Sequence, residues 1–251
     1  MKGAIANNPR FRIIEETDDY IVVDKPAPLK VHPNAPDGTP TLYDELRGLL
    51  AYELVLGGQV SIINRLDRET SGVTLVAKNS AMARHFGLAM MERKFHKTYA
   101  AIVHGWPEWE TVTVDAPILR KGEVTDSPIY VKQMVHPKGS PCVTHFVAGR
   151  RFELPDGRPC SLVTCHPHTG RMHQIRVHLA HLGHPIMGDK IYGADETCYL
   201  DFIRTGWTDD LQQRLLLRRH ALHSTRLELA GETAWEADLP EDLQAFVDGT
   251  A

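Results

Sequence analysis

The 251-residue sequence lacks a long apolar run, any cysteine pair at metal spacing and any excess of positive charge, and each lack removes a class of function. The opening MKGAIANNPR has no apolar stretch behind its lysine. The nearest candidate span, LRGLLAYELVLGG, is broken by Arg47 and Glu53, so neither secretion nor membrane spanning is expected. The four cysteines, Cys142, Cys160, Cys165 and Cys198, form no C-x-x-C pair, and a chain this long needs no disulfide scaffold. A reducing cytoplasm is the expected setting. With 28 basic and 32 acidic residues the formal charge is −4, which excludes a non-specific cationic coat for nucleic acid. Any such contact must come from a local patch, and two stretches offer one: Arg84 to Lys97 and His166 to Lys190. Taken alone, the first reads as a solvated helix face rather than a binding patch.

No Ser/Gly-rich or Pro-rich linker interrupts the apolar residues between Phe11 and Phe246, and no repeat of solenoid period occurs. Residues 11–247 are therefore expected to form a single domain behind a loosely held or disordered segment, 1–10. FRIIEETDDYIVVDKP reads as two short strands about a polar turn, because its β-branched residues are flanked by breakers. Thr41 can cap a helix through Leu42, Leu46, Leu49 and Leu50, and Asn79 or Ser80 one in which Met82, Phe86, Ala89 and Met90 share a face. KTYAAIVHG reads as a strand ending at Gly105. Residues 111–163 read as mostly β with Gly/Pro turns, hence antiparallel. Thr169 can cap a helix with Ile175, Leu179 and Leu182 inward and Arg176 at the border of the buried face. A closing strand pair and a terminal helix at 241–247 complete an α+β pattern, with a helical insertion at 194–217.

Asp67 sits in the polar loop NRLDRETSG between two β runs, a good place to fix a catalytic side chain. By itself it reads as a turn-forming Asp bonded to the amides of Glu69 or Thr70. Tyr99 reads by itself as a packed strand tyrosine, and Arg65 as a partner for Glu69 or Asp67. His166, His168, His173, His178, His181 and His184 raise the question of zinc, but no H-E-x-x-H motif or Cys/His pairing accompanies them, so no metal is expected.

Four ordered blocks, VVDKPAPLKVHP, NRLDRETSG, KTYAAIVHG and TGRMHQIRVHLAHLGHPIMGD, with LHSTRLEL after them, resemble the RluA-type family of pseudouridine synthases. The resemblance implies a mixed, mostly antiparallel β-sheet flanked by helices and loops, with a catalytic cleft across one face. It implies an enzyme without cofactor or metal that isomerises uridine in ribosomal or transfer RNA, as a monomer. Asp67 matches the family's catalytic aspartate, Tyr99 its active-site tyrosine and Arg176 the arginine that pairs with the aspartate. Arg65 matches a residue that helps extrude the target base, and Arg171 and Lys190 fall in substrate-facing blocks. Asn64 stands where the family usually has histidine and Pro28 where glycine is usual. The S4 RNA-binding domain of some relatives is not expected before Phe11. The rival readings are a non-catalytic RNA-binding or chaperone protein on the same scaffold and a metal-dependent hydrolase using the histidines.

The chemistry explains the residue types. Making pseudouridine breaks the N1–C1′ bond, turns the uracil, joins C5 to C1′ and removes the C5 proton. An ionised carboxylate must act at the ribose, as a nucleophile at C1′ or as a base at C2′. An arginine can keep that carboxylate charged in a water-poor pocket, and a tyrosine offers a ring for a flipped base.

Overall fold

The computed structural model describes residues 9–33, 38–193 and 195–249. Most of the segment expected to be loosely held, residues 1–8, lies outside the described residues, whereas Arg10 is ion-paired with Glu45. The first elements are β1 (Arg12–Glu16), β2 (Tyr20–Lys25), α1 (Leu42–Leu49), α2 (Ala51–Val55), β3 (Ser61–Ile62), β4 (Ser71–Ala77) and α3 (Ser80–Met91). The middle is β-rich: β5 (Phe95–His104), β6 (Thr111–Asp115), β7 (Ile118–Arg120), β8 (Gln133–Val135), β9 (Val143–Glu153) and β10 (Pro159–Pro167). Then come α4 (Gln174–His181), α5 (Thr197–Thr205), α6 (Asp209–Leu215), β11 (Leu222–Leu229), β12 (Thr233–Glu236) and α7 (Glu241–Asp248). The fold is α+β, a sheet with flanking helices.

The chain forms two compact units. One gathers the chain up to His96 with Ser224–Asp238, the other Lys97–His223 with the chain from Leu239 on. In the first, β2 lies between β1 and β4, all antiparallel, and β3 also pairs with β4. Every residue of β4 is buried, because helices cover both faces of its sheet. Strand alternation sorts the side chains. Val22, Val73 and Leu75 join Phe86 and Ala89 of α3 with Trp235, while Ile21, Val23 and Val76 join Leu42 and Leu46 of α1. Truncating Phe86 would cost roughly 3–5 kcal/mol.

Thr41 caps α1 through a full capping box: its hydroxyl accepts from the Asp44 amide, and the Asp44 carboxylate accepts from the Thr41 amide at 3.0 Å. Asn79 caps α3 by accepting from the Met82 amide at 2.9 Å.

In the second unit β5, β10, β9 and β6 are neighbours in that order, all antiparallel, as the Gly/Pro turns predicted. Tyr99 is opposite Cys165, and Cys165 is opposite Phe146. These three share a face, and the intervening residues form the other. There Thr98 bonds His166, the His166 and His145 rings stack at 6.1 Å, and His145 bonds Thr113. The expected insertion is helical: α5 and α6 close a small core of Cys198, Leu211 and Leu215. β11 pairs with β12, and α7 ends at Asp248, within a residue of expectation.

Thr169 does not cap α4. The helix starts at Gln174 after His173, which stands at φ +58°, and the Thr169 hydroxyl donates to Gln174 Oε1 at 2.7 Å. The Thr169 oxygen accepts from the Val143 amide at 3.3 Å instead, and the chain makes an extra turn through Arg171 and Met172 before winding. Arg176 is also deeper than a border position, at 5% exposed.

Candidate active site

The Asp67 loop is fastened on both sides of the aspartate. Before it, buried Asn64 donates from Nδ2 to Val73 O at 2.9 Å and accepts from the Leu75 amide at 2.8 Å, clamping the loop entry to β4. The main-chain carbonyl of Asp67 accepts from the Thr70 amide at 3.1 Å, which closes a tight turn. After it, Arg68 O accepts from the Leu29 amide at 2.9 Å and from Lys25 Nζ at 3.4 Å. Lys25 is wholly buried, and its ammonium also donates to Leu29 O and Pro26 O at 2.9 and 3.0 Å. A buried ammonium needs such oxygens, so the VVDKP and LDR segments are tied together.

The exit is fixed by Gly72, whose φ is +111° and where a Cβ would stand 2.2 Å from Ser224 O. Only glycine fits so close an approach in that conformation. Asp67 is half-buried between exposed Arg65 and Arg68. His32 belongs to the same unit, and burial, with the charge of Arg65, lowers its pKa.

In the second unit Tyr99 lies on β5, 8% exposed. Arg176 lies on α4, its guanidinium forked onto buried Asp189: Nε to Oδ2 at 2.6 Å and Nη2 to Oδ1 at 2.9 Å. Asp189 Oδ1 also accepts from the Ile191 and Tyr192 amides at 2.9 and 3.0 Å. Burial alone would raise the Asp189 pKa, but the charge and hydrogen bonds of Arg176, with His220 and the Ile191 amide, hold it well below the carboxylate range. The Tyr192 ring lies under the guanidinium at 5.0 Å, and its hydroxyl accepts from the Gln133 amide and bonds His173 Nδ1, both at 2.8 Å. Gly188, at φ +73°, sets this turn: a Cβ there would stand 2.1 Å from Arg219 O.

The TGR segment is held by Gln174, whose Oε1 accepts from the Thr169 hydroxyl and from the Arg171 amide at 3.0 Å. Arg171 is exposed. Lys190 is buried, its ammonium donating to Arg218 O at 2.6 Å and lying over the rings of Phe202 and Trp207 at 4.9 and 5.5 Å. Those contacts tie the 189–193 turn to the insertion. Of the six residues singled out by sequence, Arg65 and Asp67 thus lie in the first unit and Tyr99, Arg171, Arg176 and Lys190 in the second.

Sequence reasoning did not single out Asp189, Tyr192 or Lys25. Asp189 follows Gly188 at a turn 13 residues beyond Arg176, a distance no helical or strand period links. Burial of Lys25 in a strand-like VVDK run was the one available hint.

The histidines have other work. His178 Nε2 donates to Ala116 O at 2.9 Å and its Nδ1 accepts from the Thr144 hydroxyl at 2.9 Å, while burial lowers its pKa. Among the described residues no three or more His, Cys, Asp and Glu are grouped to hold a metal ion, and no helix is long and apolar enough to cross a membrane.

Comparison with known proteins agrees with the resemblance read from the blocks. A family model described as RNA pseudouridylate synthase matches residues 19–181. Ribosomal large subunit pseudouridine synthase D of Haemophilus ducreyi is 32% identical over 263 residues, covering 96% of this chain and 71% of the relative. The protein of the same name from Xanthomonas campestris is 36% identical over 247 residues, covering 94% and 68%. Among solved structures, human RNA pseudouridylate synthase domain containing 1 superimposes with a TM-score of 0.70 at 26% identity, covering 100% of this chain and 90% of that one. The chain belongs to the RNA pseudouridylate synthase family.

Proposed function

We propose that this chain isomerises a uridine of ribosomal or transfer RNA, with residues 11–247 as its catalytic domain and Asp67 as the carboxylate that acts on the ribose. The observation that carries this is the fastening of the Asp67 loop by Asn64, Lys25 and Gly72, which presents one aspartate rigidly between two exposed arginines. A catalytic group on a fixed loop needs no reorganisation at the moment of reaction. Asp67 attacks C1′ as N1–C1′ breaks, or takes the C2′ proton to leave a glycal; the freed uracil turns, and C5 joins C1′ as the Asp67–C1′ bond breaks or as the proton returns to C2′.

Tyr99 gives the extruded base a ring to stack on, and its phenolic oxygen relays the C5 proton to water. The guanidinium of Arg176, its plane fixed by Asp189, supplies the positive charge that keeps the reacting carboxylate ionised. Arg65 fills the gap left by the flipped nucleotide, and Arg171 holds phosphate. The reading sets the enzyme in the cytoplasm as a monomer that needs no cofactor.

The test uses large-subunit ribosomal RNA and transfer RNA transcribed with tritium at uracil C5. The purified protein is expected to release tritium to water with one of them. Stable RNA binding without release from either would favour the non-catalytic RNA-binding reading instead.

A further inference from the structure

Lys97 stands two residues before Tyr99 on β5, so both side chains project from the same face of that strand. Its position is unusual for a lysine. Its Nζ lies beneath the TGR segment, 3.5 Å from where a Cβ on Gly170 would be. Among the described residues no hydrogen bond or ion pair reaches this ammonium, and burial alone, with no neighbouring carboxylate, lowers its pKa. The contrast with the other sunken lysines is informative. Lys25 is wrapped by three carbonyl oxygens, Lys78 is paired with Glu16 and Glu53, and Lys190 holds a carbonyl and two rings.

Lys97 is half-buried beside the TGR segment, and its ammonium keeps room for an anion that the described residues do not supply. Gly170 matters for the same reason. Its φ is not in the left-handed region, so the backbone there does not require glycine. The missing side chain leaves the Lys97 ammonium uncovered, with exposed Arg171 next in the chain.

We propose that Lys97, uncovered by Gly170 and flanked by Arg171, seats a phosphodiester group of the RNA, the one beside the nucleotide whose base stacks on Tyr99. The assignment of that nucleotide rests on the reading of Tyr99 above. The seat itself does not. A compact ammonium suits a single phosphate as a point charge, and the contact releases one condensed counterion from the RNA.

Lys97→Met keeps length and removes the charge, and Lys97→Arg restores the charge with a different shape. Binding of C5-tritiated large-subunit ribosomal RNA would be measured from about 50 to 300 mM KCl, and tritium release at saturating protein in a single turnover. For Lys97→Met the expected result is a Kd raised roughly tenfold and a log Kd against log salt slope reduced by about 0.7–0.9. Its rate at saturation should stay within about threefold of the parent, and Lys97→Arg should recover the slope. An unchanged Kd and slope would overturn the proposal, as would a lost saturating rate at an unchanged Kd, which would make Lys97 a proton-transfer group.

Gly170→Val guards against a misfolded methionine variant, because it covers the ammonium and leaves the charge in place. It too must weaken binding, and normal binding by a folded Gly170→Val protein counts against the seat. Absence of tritium release from the unmodified enzyme would sink the isomerase reading while the salt slopes still decide the role of Lys97.

Discussion

The Asp67 loop is fastened through backbone amides and carbonyls on either side of the aspartate, whereas Arg176 is fastened by its own guanidinium to Asp189. Both segments use a glycine in the left-handed region pressed onto a neighbouring carbonyl, Gly72 on Ser224 and Gly188 on Arg219. What differs is the relation between function and stability. Around Asp67 the scaffold and the proposed reacting group are separate, so the carboxylate can be changed without loosening the scaffold. At Arg176 they are one, because the cation proposed to serve the reaction is also half of a buried ion pair.

The largest effect on stability is therefore expected at Asp189. Asp189→Asn leaves the Arg176 cation buried opposite a neutral amide and should cost roughly 3–5 kcal/mol by urea unfolding. The Arg176→Met/Asp189→Leu double variant removes both charges and should regain most of that loss while staying inactive. A double variant as unstable as the single one would show that the pair is not what holds the turn.

Gly72→Ala should cost roughly 3 kcal/mol, from a Cβ inside the contact distance of Ser224 O and a backbone angle that alanine resists. Its catalytic loss should follow its structural loss. If Gly72→Ala folds normally and only turnover falls, the glycine serves the substrate rather than the scaffold.

The smallest effect is a pH dependence. His178 has its pKa lowered in the fold by burial, so below its ordinary value of about 6.5 the unfolded chain binds a proton that the folded chain refuses. Stability from this group is complete above that pH and lost as pH falls through about 6.5 toward the lower folded value. His178→Gln should flatten the slope of unfolding free energy between pH 7 and 5, and an unaltered slope would exclude His178 as its source.

What the sequence made legible followed from local rules. Thr41 and Asn79 cap their helices because their side-chain oxygens accept from first-turn amides, and the β run that follows NRLDRETSG is the strand β4. Thr169 failed as a cap because its oxygen accepts from the Val143 amide rather than from the first turn of the helix. Asp67, Tyr99 and Arg176 were singled out from ordered blocks alone, since an aspartate in a turn and a tyrosine in a strand have no periodic signature. Asp189 and the lack of a partner at Lys97 depend on contacts between segments distant in sequence, which no window along the chain contains. Lys190, which falls in a substrate-facing block, is sunk against Phe202 and Trp207, a pairing created by the fold of the insertion.

The central claim is that one carboxylate on a rigid loop does the chemistry, and Asp67→Asn measures it most directly. The amide nearly matches the carboxylate in shape and cannot attack or accept a proton in its place. The variant should unfold at the parental urea midpoint, bind C5-tritiated ribosomal RNA with a Kd within about threefold of the parent, and release tritium at least about a thousandfold more slowly, roughly 4 kcal/mol of barrier. Tritium release at the parental rate from folded Asp67→Asn protein would contradict the account.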